Sequence, residues 1–297
     1  MSGASFATIV TRHLLAVLVL VVAFAPVLSA CGAEDLSPTA IAEAAEATAA
    51  SGGMRIALRQ TLTLPGAGRL TTTGSGVMDT QRRRSHITLK VTDGPDLVVG
   101  AFDQGDLTTE VITDRFAVYT HSPQLRQMLG QGRKWVKVDG AQLNRAAGVD
   151  VSALTQPGQD PGQALGQLNA VSGDVETVGE EKIRGVATTH YRATVDLRRY
   201  PDLVSEPDRA AARDAIDGLI GRSKASRIPV DVWLDDDGRV RRLAQKLALE
   251  VPGGPSAVEQ RFDFYDFGTR VRIEIPAASD VTDLTDLVDE RGATIGP

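Results

Sequence analysis

Residues 54–64 read MRIALRQTLTL. Met54, Ile56, Leu58, Leu62 and Leu64 share one parity, while Arg55, Arg59, Thr61 and Thr63 take the other. An apolar period of two puts one face against a core and the other in water, the pattern of a strand in an antiparallel sheet. The turn-forming run Pro65-Gly66-Ala67-Gly68 ends it.

Short runs of similar texture follow at Leu70–Met78, His86–Val91, Leu97–Phe102, Thr108–Thr113 and Phe116–Thr120, divided by Gly, Asp and Pro. Strands at this spacing, with no helical period between them, predict an antiparallel meander. Upstream, Thr39–Ala50 is rich in Ala and Glu and predicts a helix. Ser37 or Thr39 can cap it, and Gly52-Gly53 stops it.

The second half repeats the theme. Lys134–Val138 reads as a strand, and Val149–Leu154 and Gln163–Leu168 as short helices. Strands are expected at Asp174–Val178 and Val186–Leu197, where Tyr191, Ala193, Val195 and Leu197 alternate with His190, Arg192, Thr194 and Asp196. Glu206–Gly221 opens with Pro207 and acids in its first turn, and sets Ala212, Ile216, Leu219 and Ile220 on one side, as an amphipathic helix does. Ile228–Leu234 and Val240–Val251 form a hairpin about Asp235-Asp236-Asp237-Gly238, with Val230, Val232 and Leu234 expected opposite Leu243, Leu247 and Leu249. Ser256–Phe267 is a last strand, and the Asp-rich tail from Ile275 is expected to be loose. The fold class expected is α+β: a curved antiparallel sheet forming an incomplete, half-open β-barrel with helices on its concave face.

The chain opens differently. Arg12 and His13 precede the uncharged run Leu14–Leu28, which is shorter than the roughly 20 residues of a spanning helix. Leu28-Ser29-Ala30-Cys31 follows, with the sole cysteine in the position of a bacterial lipobox. The Cys31 thiolate is a soft nucleophile suited to accept a diacylglyceryl group, and cleavage before it frees an amine that is a second acylation site, for palmitate or another acyl chain. Two or three chains, at about 0.8 kcal/mol per buried CH₂, anchor stably where one binds reversibly. The alternative is an uncleaved membrane helix with an incidental cysteine. The expected organisation is a signal peptide over 1–30, a lipidated tether over 31–38, a single domain over 39–275 and an acidic tail over 276–297. The chain is then held by lipid at the extracytoplasmic face of the cell membrane.

Composition narrows the function. The net charge is −6, and removing residues 1–30 takes away only Arg12, which argues against nucleic-acid binding. One cysteine excludes an intrachain disulfide, a CxxC pair and a thiolate zinc site. Aromatic residues are 4%, so any cavity is expected to be lined mainly by aliphatic side chains, a surface suited to acyl chains. No GxSxG, HExxH, P-loop or Rossmann pattern occurs, so no catalytic residue, metal ligand or cofactor beyond the Cys31 lipid is assigned and the chain is not expected to be an enzyme. His190, on the wet parity of its strand, reads as a surface residue. Asp235-Asp236-Asp237-Gly238 suits a hairpin turn better than a calcium loop, which needs alternate acids and a distal glutamate. Arg82-Arg83-Arg84 reads as a solvated loop or as a contact for anionic lipid heads. Asp280, Asp283, Asp286 and Asp289 read as a solvated face.

Several segments together carry a family resemblance. The lipobox, the Ala/Glu-rich first helix, the meander, Gly132-Arg133-Lys134-Trp135-Val136-Lys137-Val138, Asp160-Pro161 before a Leu-containing helix, and Val178-Gly179-Glu180-Glu181-Lys182-Ile183-Arg184-Gly185-Val186-Ala187-Thr188-Thr189-His190-Tyr191 resemble the LppX/LprAFG lipoproteins of actinobacteria. That resemblance implies a fold similar to LolA and LolB, an apolar cavity, and binding and movement of acylated lipid or glycolipid across the cell envelope. A membrane transporter is a further implied partner, and a monomer is expected. From strand and helix parity, the residues expected to line the cavity are Ile56, Leu58, Tyr191, Val195, Val230, Val232, Leu247 and Leu249 on strands, with Leu165, Leu168, Ile216 and Leu219 on helices. The same residues could equally form a plain core, making the chain an envelope interaction module, and an assembled hydrolase triad is a third alternative.

Overall fold

The computed structural model describes residues 36–66, 68–95, 108–115, 117–123, 125–126, 134–139, 161–203, 206, 209–251 and 253–283. The run Leu14–Leu28, Cys31, the strand expected at Leu97–Phe102 and the helix expected at Val149–Leu154 lie outside them. The chain divides at Glu34, and all of the described structure belongs to the unit Asp35–Pro297. Among the described residues, no helix is long and apolar enough to cross a membrane.

Helix α1 runs Pro38–Ala50, with Pro38 in its first turn where no N–H is needed. Ser37, rather than Thr39, is the N-cap, its hydroxyl accepting from the Ala40 N–H at 3.2 Å. At the other end the Thr80 hydroxyl donates to the carbonyls of Ala49 and Gly52, so the next hairpin satisfies groups the helix leaves open.

The strands are β1 (Gly53–Leu64), β2 (Gly68–Asp79), β3 (Arg84–Asp93), β4 (Thr108–Asp114), β5 (Ala117–His121) and β6 (Trp135–Asp139). Helix α2 (Pro161–Gln167) and a 3₁₀ turn (Leu168–Ala170) lead to β7 (Val171–Ile183) and β8 (Val186–Asp196). Helices α3 (Tyr200–Leu203) and α4 (Arg209–Ser223) precede β9 (Arg227–Leu234), β10 (Val240–Val251), β11 (Gly254–Tyr265) and β12 (Val281–Asp283). They form one twelve-stranded sheet in the order β12-β6-β5-β4-β3-β2-β1-β11-β10-β9-β8-β7. Two meanders, β1–β6 and β7–β11, are thus sewn together by the antiparallel β1·β11 pair. The sheet is curved and is not closed into a barrel, its outermost strands being β7 and β12.

Strand β2 approaches β3 closely at two glycines. A Cβ at Gly76 would overlap the His86 carbonyl oxygen, and one at Gly74 would press on Leu89 Cδ2 at 2.6 Å. Only glycine allows β3 this close, and the side chains of Ile87 and Leu89 cover the gap.

Three expectations change. In the β9–β10 hairpin Val232 does oppose Leu243, but Leu234 opposes Val240 and Val230 opposes Gln245, with a bulge between Val240 and Arg242. Leu247 pairs with Val258 and Leu249 with Ser256, both on β11. The hairpin closes at the Leu234–Val240 pair, nearer the turn than parity placed it, and the bulge then adds the one residue that brings Leu243 rather than Arg242 opposite Val232. Strand β7 continues past Val178 to Ile183, despite Gly179, because its polar far half pairs with β8 as a hairpin. The tail is not loose throughout: Val281–Asp283 lies parallel to β6, and Lys137 holds Asp283 at 2.7 Å.

Candidate functional site

One face of the sheet, here the inner face, carries the helices. Cross-strand register arranges its side chains in rows perpendicular to the strands. Beyond the Met54–Met78 pair at the start of β1, one row contains Ile87, Gly76, Ile56 and Phe264, and the next contains Leu89, Gly74, Leu58, Phe262, Leu243 and Val232. Ile56, Phe262, Phe264 and Val232 are fully buried, as is Ile41 of α1. Thr48 locks the helix to the sheet: its hydroxyl donates to the Ala44 carbonyl at 2.6 Å and accepts from the Val240 N–H at 2.8 Å.

A third row interrupts the apolar surface with Gln60, Gln260 and Gln245 on adjacent strands. Gln245 Nε2 donates to Gln260 Oε1 at 2.8 Å, and Gln60 Oε1 is buried with no hydrogen-bond partner among the described residues. Beyond this amide band a fourth row, Leu70, Leu62, Val258 and Leu247, is apolar again but only half-buried. Helix α4 has the same character: Ile216, Leu219 and Ile220 pack on the core while staying partly exposed. The inner face therefore grades from a closed end under α1 to a partly open rim.

The residues expected to line a cavity are brought together on this face. Ile56, Leu58, Leu165, Leu168, Val195, Val230 and Val232 are buried in one hydrophobic cluster, and Tyr191, Ile216, Leu219 and Leu247 pack against it half-buried. Leu249 lies on β10 opposite Ser256. Sequence parity passed over Phe262 and Phe264, whose rings stack at 6.3 Å in the middle of the cluster. Their alternation along β11 was the available signal, and a low overall aromatic content drew attention away from it. The glutamine band was missed for a related reason: three polar residues far apart in sequence become one feature only through register.

The opposite, outer face is a network of charge. Arg84 grips Asp114 through two nitrogens at 3.0 and 3.1 Å, and Arg242 grips Asp263 at 2.6 and 2.9 Å. The hydrogen bond to Asp263 raises the Arg242 pKa above its usual value, against the effect of burial. His190 is not an open surface residue: its ring stacks on Trp233 at 4.1 Å, and its Nε2 lies 2.8 Å from Asp231 Oδ1. Trp233 in turn donates its indole N–H to Glu181 on the β7–β8 hairpin.

Asp235 organises the β9–β10 turn. It accepts from the backbone N–H groups of Asp237 and Arg239 at 3.1 and 2.9 Å, and from Arg241 Nε at 2.6 Å. Burial opposes its ionisation, but the Arg239 backbone hydrogen bond, the Arg241 hydrogen bond and both guanidinium charges outweigh it and hold the carboxyl below the usual carboxylate range. In the Arg82-Arg83-Arg84 run, Arg82 pairs with Asp79 and Arg84 with Asp114. Among the described residues no group of three or more His, Cys, Asp or Glu is placed to hold a metal ion.

No family model matches the chain. It is similar to an uncharacterised 31.2 kDa protein of the rplA–rplJ intergenic region of Streptomyces griseus, 32% identical over 169 residues, 56% of this chain and 53% of the relative. It is also similar to a Streptomyces coelicolor protein described as a candidate lipoprotein, 27% identical over 165 residues, 54% of this chain and 46% of the relative. The chain spans about half the length of the curated relatives it matches. Among solved structures it is similar to LprF of Mycobacterium bovis, with 17% identity, TM-score 0.38, and coverage of 82% of this chain and 100% of that one. It is likewise similar to the lipoprotein LppX of Mycobacterium tuberculosis, with 14% identity, TM-score 0.41, and coverage of 80% and 100%. The class the chain's own fold defines is an open, helix-backed antiparallel half-barrel, and LprF and LppX are the named mycobacterial proteins it resembles.

Proposed function

We propose that the chain is an envelope lipoprotein, anchored through acylated Cys31, that binds acylated lipid or glycolipid against the inner face of its sheet and carries it in lipid transport. The observation that carries this reading is the half-buried rim. Leu62, Leu70, Leu247 and Val258 are apolar side chains on the helix-bearing face that the fold leaves only partly covered, as are Ile216, Leu219 and Ile220 of α4, the helix that packs on β10. Acyl CH₂ groups laid along them would gain about 0.8 kcal/mol each, so a long chain binds with no reactive residue. Movement of α4 away from β10 would widen the gap. The named relative described as a candidate lipoprotein supports the anchor.

The domain from Asp35 onward contains the whole described core and sheet, so it can be produced without the anchor. Native mass spectrometry and organic extraction of that domain, purified from cells, are expected to show a co-purifying acylated molecule. Consistently empty protein that also fails to displace a fluorescent fatty-acid probe would sink the reading.

A second reading has its own support. The α1 end of the inner face is filled by Phe262, Phe264, Leu243 and Val232, all essentially without exposure, as the core of a pure interaction module would be. In that case the domain binds no lipid and works through its exterior.

A further inference from the structure

We propose that the outer face carries a separate phosphate-binding cleft, formed by Arg59, Arg261 and Arg184. It lies on the side of the sheet opposite the apolar face and does not rest on the lipid-binding reading.

The first observation is a charge imbalance built into the register. Arg59 on β1 and Arg261 on β11 are directly opposite each other, on the same outer face. Like charges in that relation repel. The neighbouring carboxylates on β11 do not relieve them. Glu259 is held by Lys246 at 2.8 Å and approached by Arg69 at 3.9 Å, and Asp263 is held by Arg242 at 2.6 Å and approached by Arg184 at 3.7 Å. Arg59 and Arg261 make no ion pair with any described residue.

The second observation is a cleft at this place. Its volume is about 220 Å³, and Arg59, Arg261, Arg184, Thr73 and Asp263 are among its lining residues. At about 30 Å³ per water in the liquid, that is room for several waters or one hydrated oxyanion. The third observation is how Arg184 arrives there. It occupies the tight turn of the β7–β8 hairpin with φ 51, followed by Gly185 at φ 85, the two positive values that a two-residue primed turn demands. Strand β8 pairs with β9 only from Thr189 onward, so the tip extends beyond β9. Arg184 nevertheless sits 3.9 Å over the ring of Tyr265 on β11, three strands from β8, so the tip folds across the outer face. The hairpin thus delivers a third guanidinium to a pair that already lacks a counter-ion. Guanidinium forks match the oxygen spacing of phosphate, and the Thr73 hydroxyl adds a neutral donor. Asp263 also faces the cleft, with its charge countered by Arg242 and Arg184.

Phosphate chemistry can come from a phospholipid headgroup or from free phosphate. The domain from Asp35 onward is titrated with inorganic phosphate at low ionic strength, and separately sedimented with vesicles of pure phosphatidylcholine or with about a third phosphatidylglycerol. Saturable phosphate binding without vesicle binding assigns the cleft to free phosphate; selective sedimentation with phosphatidylglycerol vesicles assigns it to a membrane headgroup. Either supports the proposal if the double variant Arg59→Gln/Arg261→Gln weakens it at least ten-fold while Arg272→Ala, whose partner is Glu274 elsewhere on the surface, leaves it unchanged. Both glutamines are exposed replacements that remove a repulsion, so the double variant is expected to melt no lower than the parent. Binding to neither probe, or equal binding by parent and double variant, overturns the proposal.

Discussion

The two ends of the inner face are made of similar residues and behave differently. At the α1 end, Met54, Ile56 and Phe264 are sealed completely, together with Ile41 of the helix itself. Three rows beyond Ile56 and Phe264 along the same strands, Leu62 and Val258 pair across β1 and β11 but stay half-exposed. What separates them is the cover. Helix α1 is tied to the sheet at its C-terminal end through Thr80 and along its length through Thr48, whereas α4 presents Ile216, Leu219 and Ile220 that are themselves half-buried. The strand chemistry alone therefore does not decide whether an apolar face is a core or a binding surface.

That contrast can be broken most forcefully at the closed end. Phe264→Ala is expected to cost about 3–5 kcal/mol, read as a lower denaturant midpoint, because a fully buried ring leaves a cavity behind. A loss under about 1 kcal/mol would mean that this end is not filled, and the distinction would collapse. Thr48→Val tests the fastening of α1. It strands the buried Val240 N–H and is expected to cost about 1–3 kcal/mol, with unchanged stability counting against the lock.

Acid sharpens the picture at the β9–β10 turn beside the closed end. The Asp235 pKa is lowered in the folded chain below the ordinary aspartate value, so its contribution is present above that ordinary value and is lost as pH falls through the folded pKa. Asp79 shifts in the same direction, its Arg82 hydrogen bonds outweighing burial. Stability is therefore expected to decline below about pH 4. Asp235→Asn should flatten that decline in a denaturation series, and an unaltered slope would remove Asp235 from the account.

The smallest effect on stability is expected at the rim. Leu62→Ala should cost within about 1 kcal/mol, since the side chain is already half in water. It should nevertheless weaken displacement of a fluorescent fatty-acid probe several-fold. If Leu62→Ala destabilises as much as Phe264→Ala, the rim is core after all.

How much of this was legible beforehand varies with the kind of signal. β1, read from five apolar residues of one parity, emerged within one residue of its bounds, as did β4, β5 and β6, whereas β2 starts two residues earlier than expected and β3 runs two residues further at each end. Of the residues expected to line a cavity, all but Leu249 lie in or against one hydrophobic cluster, because parity and helical spacing are local properties. The failures are non-local. The bulge between Val240 and Arg242 shifted the hairpin register, and β12 formed from a tail with no strand pattern because β6 offered it an edge.

By itself, then, the sequence determined an antiparallel sheet with one oily face and helices to cover it, since two-residue and 3.6-residue periods are written directly into the order of side chains. It also set Cys31 where a lipid anchor would belong. Only the tertiary structure decided that β1 pairs with β11, and with it the rows that pairing creates: the Gln60–Gln260–Gln245 band inside and the opposed Arg59 and Arg261 outside. Those rows join residues roughly 200 positions apart in the chain, and pairing at that range is fixed by the packing of the whole sheet rather than by any local preference.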